Sequence, residues 1–246
     1  MKVLLTRPKG KNLTLASKLN DLGIESLCQP LLSISAVTPS ADKLAVVESS
    51  QKVIFISVNA VNCAPEELFQ ALSHSTQVFA IGSATKEQLK CKGIEAKCPP
   101  KLEQHSEGLL SLSQFQDLSG QTVVIVRGQG GRELLAEQIQ QRGGEVHYIE
   151  AYQRLLPELD AASCITEWKL QNVDTVIITS GEILTNLLTL MEKTDSDWLK
   201  QCQLIVVSER IEAMAKSNGF AKVMNAGGAS ELALLETCTL LHQGSS

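Results

Sequence analysis

The chain has 246 residues, with 22 Lys and Arg against 27 Asp and Glu, which gives a formal net charge of −5. This length allows one large domain or two domains of roughly 100–150 residues, and a hydrophobic share of 43% excludes a wholly disordered chain. The acidic excess and an aromatic share of only 4% argue against a dedicated nucleic-acid binder, which usually has a basic face and aromatic stacking platforms.

Short runs of β-branched and aliphatic residues alternate with helical stripes along the chain. In chain order, the predicted strands are 3–5, 53–56, 78–81, 123–126, 176–179 and 204–207. Amphipathic stripes such as Leu15, Leu19 and Leu22 predict the helices between them, and Gly23 and Gly143 predict two C-terminal caps. The segments 37–49 and 156–171 break the alternation and are the predicted linkers.

The chain also repeats itself. Residues 3–7 match 123–127 at an offset of 120, residues 53–57 match 176–180 at 123, and residues 78–82 match 204–208 at 126. The matches stay in order while the offset drifts, which is typical of loop insertions. Alternating strands and helices imply parallel sheets with right-handed crossovers. We therefore predict an α/β fold of two doubly wound parallel-sheet domains related by internal duplication, each with four or five strands.

The turns that follow the strands are the predicted binding region, because ligands of open parallel sheets bind beyond the carboxyl ends of the strands. Helix N-termini, hydroxyl groups and arginines in these turns favour anions. The simpler interpretation is that their serines are ordinary N-caps. The candidate residues are Thr6, Arg7, Ser57, Asn59, Gly82, Ser83, Ala84, Thr85, Arg127, Gly128, Gly131, Arg132, Ser180, Gly181, Glu182, Ser208, Glu209 and Arg210.

Familiar catalytic groups are scarce in these turns. Gly128-Gln129-Gly130-Gly131 follows a strand, but Glu133 stands where a dinucleotide-binding motif would need its third glycine. The four histidines lie outside the turns, so we predict neither a histidine triad nor a metal site. Tyr152 follows a strand that leads into the second predicted linker. Its phenol could donate a proton, although packing is the simpler interpretation.

Targeting and metal-binding motifs are not evident in the sequence. Arg7-Pro8 interrupts the first apolar run too early for a signal peptide, and no run reaches the ~18–20 apolar residues of a membrane span. The seven cysteines are scattered, without C-x-x-C or zinc spacing. We therefore expect a cytoplasmic protein whose cysteines are buried or free thiols.

Several of these segments resemble the uroporphyrinogen-III synthase family, in order and over nearly the whole chain. The resembling segments are 3–8, 19–23, 30–31, 127–134, 150–154, 179–182 and 204–210, the last in the form found in gammaproteobacterial members. One segment departs from the family. Ser208-Glu209-Arg210-Ile211 replaces the common Gly-Pro-Thr-Thr, whereas Thr85 keeps its hydroxyl at the equivalent place in the other copy.

The resemblance implies a lyase of porphyrin and heme biosynthesis that uses no cofactor or metal. Family members close hydroxymethylbilane, a linear tetrapyrrole with eight carboxylates, into uroporphyrinogen III, with inversion of ring D and loss of water. Tyr152 matches the family tyrosine thought to assist departure of the hydroxyl. The candidate turn residues then become substrate ligands, and their arginines and helix N-termini would bind the carboxylates.

The resemblance also implies a domain arrangement. Residues 1–36 and 172–246 would form one α/β domain and residues 50–155 the other, joined by a two-stranded connection with the active site in the interdomain cleft. We expect a cytoplasmic monomer that binds neither nucleic acid nor membranes. A transient contact with the enzyme that produces the bilane is compatible with this expectation.

Two alternatives remain open from the residues alone. A cytoplasmic two-domain protein could close around an anion or another small ligand without catalysis. A nucleotide-dependent enzyme could also use a doubly wound fold, although the glycine pattern disfavours it. Formation of the type III isomer from hydroxymethylbilane, faster than spontaneous closure to type I, distinguishes the synthase from both.

Overall fold

The computed structural model of the protein describes residues 1–131, 133–192 and 197–244. Its strands are β1 (Lys2–Leu5), β2 (Glu25–Cys28), β3 (Ser33–Ala36), β4 (Lys52–Phe55), β5 (Gln77–Ala80), β6 (Thr122–Gly128), β7 (Glu145–Leu155), β8 (Thr175–Ile178), β9 (Gln203–Val206) and β10 (Lys222–Asn225). Its α-helices are α1 (Leu13–Asp21), α2 (Ala41–Ser49), α3 (Val58–Cys63), α4 (Glu66–Gln70), α5 (Ser83–Cys91), α6 (Ser106–Ser111), α7 (Leu134–Gln141), α8 (Ala161–Leu170), α9 (Gly181–Glu192), α10 (Glu209–Ser217) and α11 (Glu231–Gln243).

The chain divides into two compact units. Met1–Ser33 with Leu155–Ser246 forms one, which we call the terminal unit, and Ile34–Arg154 forms the other, the central unit. The chain passes into the central unit within β3 and leaves it within β7. These two strands are neighbours, and the Val37 amide donates to the Ala151 carbonyl over 2.9 Å.

The sheet of the terminal unit has the strand order β10-β9-β8-β1-β2, and all of its strands are parallel. Its three central strands, β1, β8 and β9, are buried on both faces, as their apolar sequences predict, whereas the edge strands β2 and β10 are partly exposed. Leu4 packs with residues of α8, α9 and α10, whereas its neighbour Leu5 packs with residues of α1 and α11. Helices therefore cover both faces of this sheet.

The sheet of the central unit has the strand order β3-β7-β6-β4-β5. The strands β7, β6, β4 and β5 are parallel. Phe55 faces a core formed with α2 to α5, and Ile54 faces a core formed with α6 and α7. The predicted α/β class, with two doubly wound parallel-sheet domains, is confirmed.

Each unit combines one half of each sequence repeat. By the sequence match, β1 corresponds to β6, β4 to β8 and β5 to β9. The order β9-β8-β1-β2 in one sheet is matched by β5-β4-β6-β7 in the other. The terminal unit therefore joins the first half of the first repeat to the second half of the second, and the central unit joins the remaining halves.

The segments 37–49 and 156–171, which the sequence predicts as linkers, each contain a helix with a buried face. Val47 of α2 is fully buried in the core of the central unit. Trp168 of α8, 0% exposed, lies in the core of the terminal unit with Ala161 and Cys164. Asp160 caps α8 by accepting from the Ser163 amide over 3.3 Å.

Two other predictions concern caps and cysteines. Gly23 and Gly143 follow the ends of α1 and α7 with φ values of +72° and +86°, as predicted for C-terminal caps. All seven cysteines lie in the described part of the chain and carry free thiols, three of them buried. Among the described residues, no helix is long and apolar enough to cross a membrane.

Candidate functional site

The carboxyl ends of β4, β5 and β6 lie at one edge of the central unit's sheet, because these strands are parallel. A pocket of about 280 Å³ lies at this edge. Isoleucine and leucine side chains form its apolar wall, and Ser106, Arg127, Tyr148 and Arg154 supply polar groups. The pocket also contacts the glycine-rich segment 128–131, so it includes several of the predicted turn residues.

Arg127 is only 5% exposed, and its guanidinium donates to three acceptors within the central unit. Nε donates to the Gly128 carbonyl over 3.3 Å, and Nη2 donates to the Gly130 carbonyl. Nη1 donates to Glu133 Oε1 over 3.1 Å. The guanidinium carbon also lies 4.7 Å from the centre of the Tyr148 ring. Its charge is therefore paired and hydrogen-bonded, as a buried cation requires.

Glu133 and Tyr148 complete this cluster. The Tyr148 hydroxyl donates to Glu133 Oε2, and this bond, with a smaller contribution from Arg127, holds the pKa of the Glu133 carboxyl below its ordinary value. Burial, reinforced by the bond to Glu133, raises the pKa of Tyr148 to about 12. At neutral pH Glu133 is ionised and Tyr148 is a neutral donor, which are the states that these bonds need.

Tyr152 lies within the core of the central unit and is 1% exposed. Its hydroxyl oxygen lies 3.1 Å from Ser57 Oγ and accepts from Arg154 Nη2 over 3.1 Å. The ring packs against Gly128, where an added Cβ would lie 2.6 Å from ring carbon Cε2. The phenol is therefore both a packing group and a member of a hydroxyl chain through Ser57.

The remaining predicted residues of the central unit lie in the turns after β4 and β5. Ser57 caps α3 by accepting from the Ala60 amide over 3.1 Å. Ser83 is not an N-cap: its amide donates to Gln104 Oε1 over 3.0 Å, and Gly82 precedes the helix. Asn59 and Gly82 are half-buried, Ala84 is exposed and Thr85 is buried. Arg132 lies outside the described residues.

In the terminal unit, Arg7 follows β1, the strand that corresponds to β6 of the central unit. Its Nε and Nη2 are buried and have no hydrogen-bond partner among the described residues. Asn12 fixes the turn by donating to the Arg7 carbonyl over 2.9 Å, and Thr6 donates to the Ile177 carbonyl. Burial raises the pKa of the nearby Cys28 thiol, an effect that Arg7 opposes. Arg7 thus has donors available for an anion.

The other predicted turns of the terminal unit begin α9 and α10. Ser180 accepts from the Ile183 amide over 3.1 Å, and Ser208 accepts from the Ile211 amide over 3.4 Å, so both are N-caps. An added Cβ on Gly181 would lie 3.1 Å from Arg210 Nη1, which places that guanidinium beside the start of α9. Glu182 and Glu209 are exposed in the first turns, where carboxylates suit the helix dipole. Any anion bound here would use the backbone amides rather than these carboxylates.

A larger cavity of about 580 Å³ lies at the opposite edge of the terminal unit's sheet. Thr175, Gln203 and Lys222 line it, and each is the first residue of a strand. Ligands of open parallel sheets bind at the carboxyl ends of the strands, so position favours the smaller pocket as the functional site. Among the described residues, no group of His, Cys, Asp and Glu is arranged to hold a metal ion.

Four residues at these strand-end edges are not among the candidates predicted from the sequence: Tyr148, Glu133, Arg154 and Asn12. Tyr148 lies in the interior of β7, whereas the candidate ligands were predicted in the turns that follow strands. Glu133 belongs to the segment 127–134 that resembles the family, but the sequence gives it no role beyond breaking a dinucleotide motif. Asn12 carried a detectable signal, because Asn before an apolar helical stripe is a typical N-cap.

Comparison with known proteins connects this geometry to one family. Residues 14–236 match the sequence model of "Uroporphyrinogen-III synthase HemD". The chain is 35% identical to the uroporphyrinogen-III synthase of Salmonella typhimurium, over 96% of this chain and 98% of that protein. It is 34% identical to that of Escherichia coli, over the same shares of the two chains.

Two solved structures share the fold. Uroporphyrinogen-III synthetase from Helicobacter pylori has a TM-score of 0.61 at 15% identity, covering 98% of this chain and 99% of that chain. A mutant uroporphyrinogen III synthase from Thermus thermophilus has a TM-score of 0.58 at 17% identity, covering 99% of both chains. At these identities the likeness concerns the fold alone.

Proposed function

The chain belongs to the uroporphyrinogen-III synthase family, and from this premise we propose that it cyclises hydroxymethylbilane to uroporphyrinogen III. Ring D is inverted and one molecule of water is lost, so the chain is an enzyme of the lyase type. The observation that carries the proposal is the 35% identity to a named synthase along 96% of the chain. Neither a non-catalytic anion-binding protein nor a nucleotide-dependent enzyme accounts for that match.

The chemistry requires positioning more than strong acid or base catalysis. The hydroxyl leaves with a proton as water, and the pyrrole nitrogen stabilises the azafulvene that remains. The substituted carbon of ring D, at the other end of the bilane, then attacks the methylene carbon of the azafulvene and forms a spiro intermediate. The bond from that ring D carbon to its original methylene bridge breaks, the freed methylene rejoins ring D at its unsubstituted α-carbon, and loss of a proton from that carbon leaves the ring inverted. Holding the two ends in register can contribute several kcal/mol without any cofactor.

Carboxylate binding is assigned to the strand-end edges of both units. Nε and Nη2 of Arg7 are buried without a hydrogen-bond partner in the described part of the chain, and this supports a carboxylate ligand there, since buried donors without partners are costly. The pocket of about 280 Å³ in the central unit has an apolar wall with polar groups around it, which suits a pyrrole ring bearing carboxylates. The amides at the starts of α9 and α10 offer further anion sites.

Tyr152 is proposed to assist departure of the hydroxyl. Arg154 donates to the phenolic oxygen, so the phenolic proton is available to Ser57 Oγ or to another acceptor. Because the ring is buried, a proton would reach the substrate through a small local movement or through the Ser57 hydroxyl. Tyr152 is the catalytic residue in this proposal, and the turn residues are ligands.

Several finer points belong to the same proposal. We assign no cofactor or metal to the reaction, a monomeric state and a cytoplasmic location, which the free thiols favour because a reducing compartment maintains them. A transient contact with the bilane-producing enzyme would shorten the life of the unstable substrate in solution. We take the two compact units as the domains, with boundaries at 33/34 and 154/155 in place of those expected from the sequence.

The deciding experiment incubates the purified protein with hydroxymethylbilane and resolves the oxidised uroporphyrin isomers by chromatography. We expect the type III isomer to form faster than type I appears in the absence of protein. Treatment with a chelator and dialysis should leave the rate unchanged. If only type I forms, at the spontaneous rate, the proposed activity is wrong even if the protein binds the bilane.

A further inference from the structure

The glycine loop, residues 128–131, wraps around the Arg127 side chain. Gly130 and Gly131 have φ values of +66° and +111°, a region that side-chain-bearing residues rarely adopt. An added Cβ on Gly131 would lie 2.8 Å from Arg127 Nη2. With the bonds from Arg127 to the Gly128 and Gly130 carbonyls, this contact makes the guanidinium the centre around which the loop is shaped.

The guanidinium is itself held in place from outside the loop. Glu133 accepts from Arg127 through Oε1 and from Tyr148 through Oε2, and the Tyr148 ring stacks on the guanidinium. Tyr148 belongs to β7, which pairs with β6 beside Arg127, so the sheet fixes the position of its ring. The three side chains restrain one another and, through Arg127, the loop carbonyls.

We propose that Arg127, Glu133 and Tyr148, which we call the loop clamp, are positioning residues that set the shape of the glycine loop for binding a substrate carboxylate. This rests on the proposed function and changes the role of Arg127 within it. The ligands become the backbone amides of Gly130 and Gly131, which border the pocket, since the Gln129 amide already donates to the Tyr152 carbonyl over 2.7 Å. The arginine acts through these two amides.

The geometry disfavours direct binding of substrate by Arg127. Nε, Nη1 and Nη2 each have an acceptor, and Glu133 already neutralises the charge. A substrate carboxylate would have to displace Glu133 while the guanidinium kept both loop carbonyls. Only arginine offers a planar fork that reaches three acceptors at once, so lysine cannot replace it in this role.

The test compares KM and kcat for hydroxymethylbilane in Arg127→Lys, Arg127→Gln, Glu133→Gln and Tyr148→Phe. The matched control is Glu66→Gln: Glu66 pairs with Lys92 over 3.8 Å, and Lys92 lies over the Phe69 ring, so it removes a similar carboxylate in the same unit. We expect both Arg127 variants to raise KM by about 10-fold or more, with a smaller change in kcat. Glu133→Gln and Tyr148→Phe should raise KM less, and Glu66→Gln should not change it.

Two kinetic results would overturn the loop clamp. If Arg127→Lys keeps the KM of the unaltered protein while Arg127→Gln loses it, Arg127 acts as a point charge on the substrate. If Glu133→Gln lowers KM, its carboxylate competes with the substrate instead of positioning the loop. Glu133→Gln and Tyr148→Phe retain Arg127 and keep the test decisive if the Arg127 variants do not fold.

A measurement without substrate separates this inference from the proposed function. Hydrogen exchange of a peptide covering residues 128–131 should be faster in Tyr148→Phe and in Glu133→Gln than in the unaltered protein, and unchanged in Glu66→Gln. If exchange accelerates but no type III isomer forms, the clamp stands and the proposed activity fails. Unchanged exchange in both clamp variants would refute the clamp, whatever the activity.

Discussion

Tyr152 has two roles at the scale of the single residue, because its ring fills the core while its hydroxyl joins Ser57 and Arg154. Tyr152→Phe keeps the ring and removes only the hydroxyl. A principal proton donor would account for ~10²-fold or more of the turnover, and control by positioning alone for only a few-fold. We expect an intermediate loss of ~10–100-fold, with the type III product retained and KM little changed. Single-turnover kinetics with isomer analysis measures this.

Ser57→Ala is the control for that variant, because it removes the hydrogen-bond partner and leaves the phenol. It should cost less turnover than Tyr152→Phe if the phenol gives its proton directly to the substrate, and about as much if the Ser57 hydroxyl relays that proton. A folded Tyr152→Phe protein with full activity would remove the tyrosine from the mechanism and leave the backbone donors as the catalyst.

Arg7 is a cation whose Nε and Nη2 are buried and have no hydrogen-bond partner within residues 1–131, 133–192 and 197–244. Arg7→Gln should raise KM by about 10-fold, since a charge-assisted bond to a carboxylate is lost. It should not lower the thermal midpoint of the free protein, because it removes an unpaired buried charge. Steady-state kinetics and thermal melts check both outcomes.

Lys9→Gln is the matched control for Arg7, since Lys9 is an exposed cation two residues away. An equal rise in KM for Lys9→Gln would show that net charge, rather than the buried guanidinium, determines affinity. A lower thermal midpoint for Arg7→Gln would show that the guanidinium is already satisfied in the free protein.

Arg132 lies outside the described residues, so its role stays a prediction from the sequence. Its place shortly after a strand suits a carboxylate ligand, and Arg132→Ala should weaken substrate binding by ~1–3 kcal/mol. Kinetics of Arg132→Ala beside Lys101→Ala, an exposed cation of the central unit, measures the effect. An unaltered KM in the folded variant would contradict the assignment.

At the scale of the element, α8 is the clearest departure from the sequence-based prediction, because it is a core helix where a linker was expected. Trp168→Ala should lower the free energy of unfolding by about 3–5 kcal/mol, the usual cost of deleting a large buried aromatic side chain. Urea denaturation followed by circular dichroism gives the value.

Leu170→Ala, on the same helix, is the matched control, because Leu170 is 77% exposed. It should change stability by less than about 0.5 kcal/mol. If both variants change the free energy of unfolding equally little, this segment is a loosely attached linker and not a core helix.

In both units a serine that follows a strand caps the next helix. Ser57 and Ser180 follow corresponding strands of the two repeats, and each caps its helix with a 3.1 Å bond to the amide three residues on. The interpretation of these two serines as N-caps is confirmed. Among the described residues, Ser57 has a second partner that Ser180 lacks, the Tyr152 hydroxyl, because β7 runs beside the end of β6 in the central unit.

At the scale of the whole molecule, the division into units predicts that each folds from its own residues. Residues 34–154 are contiguous and contain a five-stranded sheet with cores on both faces. We expect this fragment alone to unfold cooperatively in urea, with native-like far-ultraviolet circular dichroism.

The terminal unit can be tested by joining residues 1–33 to 155–246 with a short glycine-serine linker. Ser33 Oγ donates to the Leu155 carbonyl over 3.2 Å, so the two ends are adjacent. Neither fragment should make uroporphyrinogen III alone. Two fragments without cooperative unfolding would contradict the division.

The fold class, most of the strands, the capping glycines and the internal repeat could all be predicted from the amino-acid sequence. These features are local: burial on both faces gives an apolar run, and a left-handed cap needs glycine, whatever lies elsewhere in the chain. The sequence also contains features that predict α8. Asp160 is a typical N-cap, and Ala161, Cys164 and Trp168 have helical spacing, but Pro157 just before them favoured the interpretation as a linker.

The combination of the repeat halves and the contacts of Arg127 could not be predicted from the sequence, because both depend on the three-dimensional fold. Strand order depends on pairing between segments far apart in sequence, and β1 lies beside β8 although more than 160 residues separate them. The bonds of Arg127 depend on Tyr148, which the pairing of β6 with β7 brings alongside. Composition and spacing can therefore nominate an arginine, but the three-dimensional neighbours determine whether it binds a ligand or shapes a loop.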